Sequence, residues 1–436
     1  MKKVLIIANL FHASPRIPGL ASYLPEIDWE ATIVTPPLGI NFQNKYSPPK
    51  KFFANTKIIE VPYRGDIFWF WRKLAGFLGF KKNTSITEQI KEKVGVVSKK
   101  SFIDKLLNFY QAVFGYPDTE KYWIKPTMRV VKELLKHEKF DAILSSSPYQ
   151  SSHLIAAKIK NEFLIPWIAD MRDLWTQNHN YQYPKLRKFF ETKLEIRTLS
   201  QANAFTTISV PLVEHLQSRY KNKNIRSIPN GFDPEIVNEP PTLLTKKFTI
   251  TYTGRIYTQK QDPMKLIRAL KELIEGGNID SNEIEVNFFG EKLIWLDNEI
   301  EKFGLKNIVH QYNQIPREEI IKKQRESQVL LLLCWEDESE KGVCPKKTFE
   351  YLAAQRPILA TGGSKEEVVK KIINDLNAGM NATTTNEIKT VLMNLYKEYK
   401  EKGFVAYRGN KEKINEYDYR AMAKKFAEAL NKIILN

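Results

Sequence analysis

Apolar and polar positions repeat one alternation along most of the chain. Short β-branched or leucine-rich runs end at polar or glycine-containing loops, and segments with apolar positions at helical spacing follow them. Strands that alternate with helices of about 10–15 residues indicate βαβ units and parallel sheets. The pattern therefore predicts an α/β protein.

The alternation occurs twice, on either side of a break. It predicts strands at 4–8, 31–35, 57–61, 140–145, 167–170 and 204–208, and then at 248–253, 285–289, 308–312, 328–334 and 358–360. A proline-rich polar stretch without periodicity separates the two series near 236–246. We expect one domain over 1–236, another over 237–415 and a last helix over 416–436. Because parallel sheets bind ligands at the carboxyl ends of their strands, the expected active site is a cleft between the two sheets.

The composition excludes several classes of protein. Of 436 residues, 42% are hydrophobic and 27% are charged, as in a globular protein, and two cysteines are too few for a disulfide scaffold. No apolar run reaches the roughly 18 residues that a membrane-spanning helix needs. The start, MKKVLIIANLF, has a short apolar part and no small-residue cleavage site. We interpret it as the first strand of a cytoplasmic protein rather than as a signal peptide.

The net charge narrows the range of partners. Lys and Arg number 67 against 50 acidic residues, which gives a formal charge of +17. Such a chain favours a polyanion, an anionic membrane or a phosphorylated ligand. The sequence has no zinc-ligand spacing, no RNP-type aromatic motif and no helix with a basic, base-reading stripe. We therefore expect no nucleic acid partner.

Two loops of the second half carry candidate phosphate-binding chemistry. In the first, GRIYTQKQD, the residues Gly254, Arg255 and Lys260 follow the strand at 248–253. Glycine allows a close turn, and two cations at the carboxyl end of a strand suit a diphosphate. A solvated basic loop is the alternative interpretation.

The second loop leads into a predicted helix that starts near Pro345. Backbone N–H groups at a helix start form an anion site, and Lys347 lies in the same turn as a further candidate donor contact. Glu350, one turn further, is placed to accept two hydroxyls, as from a ribose, unless it is simply an exposed helix residue. Gly362, at the end of the next strand, leaves room for a ligand beside the backbone.

Several segments of the chain resemble the retaining nucleotide-sugar glycosyltransferases of glycosyltransferase family 4. They are PRIPGLASYLPEIDWEATIVT, WIADMRDLW, IPNGFD, GRIYTQK and KKTFEYLAAQRPILAT. The resemblance implies the GT-B fold, in which two Rossmann-like domains face each other across a cleft. The N-terminal domain would bind the acceptor and the C-terminal domain the nucleotide-sugar donor. The last helix would cross back to the N-terminal domain.

The resemblance also implies roles for single residues. Arg255 and Lys260 match the family's Arg and Lys that hold the donor diphosphate and support catalysis, and Glu350 matches the second Glu of its Glu-x7-Glu motif, which binds the ribose. The first Glu of that motif is Gly342 here, which leaves the sugar undefined. In this family the leaving diphosphate assists the incoming hydroxyl, and basic residues take the place of a divalent metal. We therefore expect no metal and no other cofactor.

The acceptor side is predicted at the strand ends of the first half, where polar residues cluster. The candidate acceptor contacts are His153, Asp170, Arg172 and Asp173. Among them, Asp173 is the candidate for orienting the acceptor hydroxyl. A structural salt-bridge cluster and a satisfied or surface histidine are the alternatives. Arg16 and Gly19 belong to the first strand-to-helix loop, which faces the cleft in the GT-B arrangement, and they are candidate donor contacts.

Residues 64–115 interrupt the alternation with an insertion that is too long and too aromatic for a plain connection. Within it, residues 64–82 combine six aromatic with five basic side chains, a composition that suits the bilayer interface. A second amphipathic helix is predicted over 99–114. We expect contact with an anionic membrane at the inner face of the plasma membrane. A lid on the N-terminal core or an oligomer contact is the alternative.

Together these inferences predict a retaining glycosyltransferase. It would move a sugar from a nucleotide-diphosphate donor to a hydroxyl of a glycan or lipid-linked acceptor, in cell-surface polysaccharide or glycolipid synthesis. The alternatives are a sugar-nucleotide epimerase or other GT-B relative, and a membrane-binding module without catalytic activity.

Overall fold

The computed structural model describes residues 1–10, 15–39, 42, 48–65, 110, 113–179, 181–237, 242–337, 342–364 and 367–435. Its strands form two parallel sheets, one in each half of the chain. The first sheet consists of β1 (Lys2–Ile7), β2 (Trp29–Thr35), β3 (Thr56–Glu60), β4 (Ala142–Ser146), β5 (Trp167–Met171), β6 (Ala204–Thr207) and β7 (Asn224–Ser227). The second consists of β8 (Phe248–Thr253), β9 (Ile284–Phe289), β10 (Val309–Tyr312), β11 (Val329–Leu333), β12 (Ile358–Thr361) and β13 (Gly379–Ala382).

Both sheets are doubly wound. The strand orders are β3-β2-β1-β4-β5-β6-β7 and β10-β9-β8-β11-β12-β13, and every strand pair is parallel. The order therefore reverses between β1 and β4 in the first sheet and between β8 and β11 in the second. Open α/β sheets bind ligands beside such reversals, at the carboxyl ends of the strands.

The helices connect the strands and cover both faces of each sheet. Prolines, which fix φ and lack an N–H, immediately precede several of them, as Pro184, Pro263, Pro316 and Pro345 do. The helices of the described residues are Arg16–Tyr23, Phe52–Asn55, Ile124–His137, Gln150–Phe163, Lys185–Leu199, Val210–Arg219, Pro234–Val237, Met264–Glu275, Ile294–Lys302, Arg317–Glu326, Lys346–Ala354, Val368–Asp375, Thr385–Lys402, Lys411–Asn415 and Tyr419–Ile434.

Strand β1 shows why the strand sequences are apolar runs rather than alternating patterns. Val4 and Ile6 belong to the core on one face of the first sheet, and Leu5 and Ile7 belong to the core on the other face. All four are fully buried. Because helices cover both faces, neither face of this central strand meets solvent, and its sequence is a continuous apolar run rather than an alternating one.

The last helix, Tyr419–Ile434, crosses back to the first domain as the resemblance implied. Its apolar face, which includes Met422 and Phe426, lies in the same core as β1 and the helix Arg16–Tyr23. The chain enters this helix beside the segment that leaves the first domain, since the Tyr419 amide donates to the Phe232 carbonyl at 2.9 Å. The two chain segments that connect the domains therefore run side by side.

The structure adds elements that the sequence pattern did not predict. Among them are the helices Ile124–His137 and Thr385–Lys402 and the strands β7 and β13. Each of these two strands lies at the edge of its sheet. Most of the predicted insertion, including residues 66–109 with the aromatic and basic segment, lies outside the described residues. Within the described part of the chain, no helix combines the length and apolar character needed to cross a bilayer.

Candidate active site

The turn after β8 brings two strand ends and a lysine close together. Gly254 has φ of +111°, a conformation that favours glycine, and its amide donates to the Phe289 carbonyl at 2.7 Å. A Cβ atom on Gly290 would lie 2.4 Å from the Gly254 carbonyl oxygen. A Cβ atom on Gly254 itself would lie 3.2 Å from Lys347 Nζ. Glycine at this turn therefore admits the lysine side chain to the carboxyl end of β8.

The two predicted diphosphate-binding cations lie on the loop after β8 but contact different neighbours. Arg255 has a side chain that is 67% exposed, and its Nε lies 3.4 Å from Glu291 Oε2, after β9. Lys260 Nζ lies 5.1 Å from the ring centroid of Trp335, after β11. Because β9 and β11 flank β8 on opposite sides, the two cations bracket the carboxyl end of β8.

Lys347, in the first turn of the helix Lys346–Ala354, adds a third cation. Its ammonium group donates to the Tyr252 hydroxyl and lies 3.9 Å from the centroid of that ring. Lys347 has no ion-pair partner among the described residues. Burial lowers the pKa of Lys347 to about 7, although the charge of Glu350 opposes the shift. A bound anion would therefore stabilise the charged form of this lysine.

Glu350 lies one turn along the same helix and is held by two cations. Its Oε1 atom is 2.9 Å from Arg317 Nη2 and 3.2 Å from Lys346 Nζ. Burial alone would raise its pKa, but Lys346 and Arg317 lower the pKa of Glu350 to about 2. All three side chains line a cavity of about 40 Å³ between the two domains and the last helix, together with Asp233 and Tyr419. The carboxylate is therefore ionised and fixed at the domain boundary.

Gly342, which occupies the position of the first motif Glu, lies against the first domain. The Ser209 hydroxyl donates to the Gly342 carbonyl at 2.7 Å. A Cβ atom on Gly342 would lie 3.1 Å from Leu212 Cδ2, so a glutamate here would displace the leucine. In this chain the position makes a contact between the domains, and a carboxylate does not fit there without rearrangement.

Gly362 has a different surrounding from the predicted one. Its φ is +77°, as glycine favours, but a Cβ atom there would lie 2.3 Å from Glu336 Oε1. The Glu336 carboxylate in turn accepts from Lys265 Nζ at 2.7 Å. The space that the sequence analysis assigned to a ligand is therefore filled by a carboxylate of the preceding loop.

Arg16, a predicted donor contact, is instead buried in a bidentate ion pair. Its Nε and Nη2 atoms donate to the two carboxylate oxygens of Asp170 at 3.1 and 3.0 Å, and its Nη1 donates to the Pro229 carbonyl at 2.8 Å. Both side chains are fully buried, and Asp170 also accepts from Ser146 and Thr206. Burial opposes ionisation of Asp170, but Arg16 holds its pKa below the ordinary value.

The ion pair places two predicted site residues inside the first domain. Asp170, a predicted acceptor contact, has both carboxylate oxygens occupied inside the first domain, and Arg16 joins β5 to the segment that leaves it. Gly19 also faces inward, because a Cβ atom there would lie 2.6 Å from the Tyr419 ring. That glycine admits the last helix rather than a donor phosphate.

The remaining acceptor candidates differ in exposure. His153 is fully buried, its Nδ1 lies 2.8 Å from Ser145 Oγ, and burial lowers its pKa to about 4. Arg172 is also buried and donates to the Ser147 carbonyl at 2.8 Å. Asp173, by contrast, is exposed at the carboxyl end of β5. Among these candidates, Asp173 is the one that the structure presents to solvent.

Sequence reasoning missed Arg317 and Tyr252, which hold Glu350 and Lys347 in place. Arg317 follows Pro316 at the start of a helix, a signal that marks the helix but not the ion pair. Tyr252 lies inside a fully buried strand, where an aromatic residue is ordinarily part of the core. Neither position carries a local sequence signal for its contact.

Comparisons with known proteins agree with this architecture. The family model described as Glycosyltransferase Family 4 matches residues 103–236. No curated protein sequence matches the chain.

Solved structures of similar fold span essentially the whole chain. Sucrose-phosphate synthase from Thermosynechococcus elongatus has a TM-score of 0.57 at 12% identity and covers 100% of both chains. Anabaena HepE in complex with UDP has a TM-score of 0.61 at 13% identity and covers 99% of this chain and 100% of its own. WaaG, a glycosyltransferase involved in lipopolysaccharide biosynthesis, has a TM-score of 0.53 at 13% identity and covers 99% of both. The likeness confirms the predicted GT-B fold.

Proposed function

We propose that this chain is a glycosyltransferase of family 4 and that it transfers a sugar from a nucleotide-diphosphate donor to a hydroxyl acceptor with retention of anomeric configuration. The proposed donor site is the carboxyl end of β8, with Arg255, Lys260 and Lys347 around the donor diphosphate. Glu350, held ionised by Arg317 and Lys346, would accept hydroxyls of the ribose.

The observation that carries the proposal is the state of Lys347. Its ammonium is directed at the Gly254 turn, burial lowers its pKa to about 7, and the described residues supply it with no ion-pair partner. A diphosphate would supply the missing negative charge. The exposed guanidinium of Arg255 and the ammonium of Lys260 lie at the same strand end, so a diphosphate bound there would meet three cations.

This arrangement suits stabilisation of a leaving group. When the bond between the sugar and the diphosphate breaks, negative charge accumulates on the β-phosphate oxygens. Cations already held beside those oxygens stabilise the charge without reorganisation, and backbone N–H groups at the start of the helix Lys346–Ala354 act in the same direction. In the retaining reaction, the leaving diphosphate would accept the proton of the incoming hydroxyl on the same face of the sugar.

The acceptor would bind at the carboxyl edge of the first sheet. Asp173 is exposed there, and its backbone is fixed because its amide donates to Ser147 Oγ at 3.1 Å. We assign Asp173 the role of orienting the acceptor hydroxyl. A glycan carried on a lipid is the proposed acceptor class, because the positive chain would bring the enzyme to an anionic bilayer.

The test is a transfer assay with the full chain. UDP-, GDP- and ADP-linked sugars with a labelled sugar are incubated with a lipid extract, and both nucleotide release and label in the extractable lipid are measured. We expect nucleotide release that depends on the acceptor and is matched by an equal amount of sugar transferred to lipid. Both should be lost in Arg255→Ala/Lys260→Ala. The control is Lys302→Ala/Lys306→Ala, two exposed lysines that precede β10 at the opposite edge of the second sheet. An altered sugar formed without any acceptor would instead identify an epimerase.

A further inference from the structure

The outward face of the helix Lys185–Leu199 has an unusual segregation of charge. Its two acidic residues point inward: Glu191 accepts from Arg187 Nε at 2.6 Å, and Glu195 lies 2.7 Å from Arg219 Nη1. Both glutamates are buried. The exposed cations of the same helix are Lys185, Lys188, Lys193 and Arg197. The helix therefore presents positive charge and no carboxylate of its own to solvent.

Large apolar side chains lie among these cations. Leu186 is 70% exposed, Phe189 53%, Phe190 52% and Ile196 42%. With Lys193 and Arg197 they follow the spacing i, i+3, i+4, i+7, i+10 and i+11, which is one stripe along a helix. A globular protein ordinarily turns such a stripe toward its core, but here the helix packs through its other face, on which Leu199 is buried.

Residues 113–116, which precede the cis peptide bond between Tyr116 and Pro117, extend this surface. Tyr116 donates its hydroxyl to the Phe190 carbonyl at 3.4 Å, and the exposed Val113 and Phe114 precede it in the chain. The buried Arg187 links the helix to this segment, because its Nη2 donates to the Gly115 carbonyl at 2.9 Å. Gly115 and Tyr116 are therefore held against the helix, and the exposed Val113 and Phe114 immediately precede them.

The helix is also placed at the edge where the acceptor would enter. Its C-terminal end lies beside the amino end of β5, since the Asn203 amide donates to the Trp167 carbonyl at 2.8 Å. At about 1.5 Å per residue the helix is roughly 22 Å long, whereas the five residues of β5 span about 17 Å. Its N-terminal turns, with Leu186 and Phe189, therefore reach the carboxyl edge that carries Asp173.

We propose that the outward face of the helix Lys185–Leu199, with Val113 and Phe114, is a docking surface for an anionic lipid bilayer. Aromatic and leucine side chains would enter the headgroup region, and the surrounding lysines and arginine would contact anionic lipid phosphates. The inference rests on the proposed function for its purpose: docking in this orientation brings the edge with Asp173 to a lipid-linked acceptor. It concerns a different part of the chain from the segment 64–82.

The test compares three forms of the full chain in vesicle co-sedimentation. The stripe variant is Lys188→Glu/Phe189→Ser/Phe190→Ser/Lys193→Glu. The matched control makes the same changes on the second domain, as Met393→Ser/Lys397→Glu/Lys402→Glu/Phe404→Ser, at positions that are also exposed. Vesicles contain either phosphatidylcholine alone or phosphatidylcholine with about a third phosphatidylglycerol, a composition that adds the negative surface potential.

We expect the parent and the control to bind the anionic vesicles and the stripe variant to bind at least about tenfold more weakly. Binding of the parent should also fall when salt is raised. Equal binding of parent and stripe variant, or no binding of the parent, would overturn the proposal. A dimeric parent with a monomeric stripe variant in ultracentrifugation would identify the face as a contact between two copies instead.

A separate measurement keeps this inference distinct from the proposed function. UDP, GDP and ADP binding is measured on the same three proteins without vesicles, and we expect it to be equal in all of them. If the parent binds vesicles but none of these nucleotides, the proposed function fails and the docking surface stands. If the parent binds nucleotide but not vesicles, the docking surface fails and the proposed function stands.

Discussion

The carboxyl edges of the two sheets carry similar charged side chains in different states of pairing. In the first domain, Arg16 and Asp170 are fully buried against each other, and Arg172 is buried against a carbonyl. In the second domain, Arg255 is mostly exposed and Lys347 has no ion-pair partner among the described residues. The same position in the same kind of sheet thus holds buried, paired charges in one domain and a mostly exposed arginine in the other, where we propose that the diphosphate binds.

The difference follows from what covers each edge. The last helix and the segment leaving the first domain close over Arg16, which contacts the Phe426 ring at 5.0 Å from its centroid and the Pro229 carbonyl. Once water is excluded, a charge must be paired, and Asp170 supplies the partner. At the carboxyl edge of the second sheet, Arg255 is exposed and Lys260 is half-buried, whereas burial lowers the pKa of Lys347.

The largest expected effect is a loss of stability when the ion pair at the carboxyl edge of the first sheet is broken. Arg16→Ala would leave the buried Asp170 carboxylate without its counter-ion, which destabilises by about 3–5 kcal/mol. Urea unfolding followed by circular dichroism measures this change. The control, Arg197→Ala, removes an exposed guanidinium of the same domain and should alter stability by less than about 0.5 kcal/mol. Equal stability of the two variants would remove the distinction between the edges.

The second prediction concerns turnover at the second edge. Arg255→Ala and Lys260→Ala should each lower kcat/KM about 100- to 1000-fold, because each removes charge stabilisation from the leaving diphosphate. Their unfolding free energy should change by less than about 0.5 kcal/mol. Steady-state transfer assays and urea unfolding provide the two measurements. The account is contradicted if activity persists, or if it is lost only together with the fold.

Glu350 combines a structural role, as the ion-pair partner of Arg317 and Lys346, with its proposed role in binding the ribose. Glu350→Ala leaves Arg317 and Lys346 without their shared anion, and because all three side chains keep some exposure we expect a loss of about 1–2 kcal/mol. Nucleotide affinity should fall as well, since the ribose would lose its acceptor. Glu350→Gln tests the charge alone. Unchanged affinity in both variants would show that the residue is structural.

The smallest effect is a pH dependence of donor binding. Lys347 has a pKa of about 7 in the free protein, and a bound diphosphate should raise it, so binding takes up a proton between the two values. Affinity should therefore be highest below pH 7 and fall as pH rises above it. Lys347→Arg keeps its charge throughout and should flatten the profile. Calorimetry in two buffers of different ionisation enthalpy measures the uptake, which should be absent in the arginine variant.

The sequence predicted most of the fold because the central strands are buried on both faces. Runs such as Val329–Leu333, with the sequence VLLLL, are apolar throughout, and that pattern is visible without a structure. The strands that it missed, Asn224–Ser227 and Gly379–Ala382, are edge strands with mostly half-buried residues. Because one side of an edge strand lacks a neighbour, its sequence need not be apolar.

The sequence predicted the candidate site less completely, because it does not reveal pairing. Arg16 and Arg255 each follow a buried strand in a loop, yet the partner of Arg16 is 154 positions away along the chain. Gly19 was a candidate donor contact and Gly362 was expected to leave room for a ligand, but the side chains that lie against them, Tyr419 and Glu336, come from other elements. Such contacts depend on how distant segments pack.

The central claim is that the cations at the second edge bind a diphosphate. The most direct test is calorimetric titration of the full chain with uridine, guanosine and adenosine and with their 5′-diphosphates. The account predicts that one diphosphate binds at least about 100-fold more tightly than its nucleoside. That difference should vanish in Arg255→Ala/Lys260→Ala/Lys347→Met and persist in Lys302→Ala/Lys306→Ala. Equal affinity for nucleoside and diphosphate in the parent, or an unchanged preference in the triple variant, would contradict it.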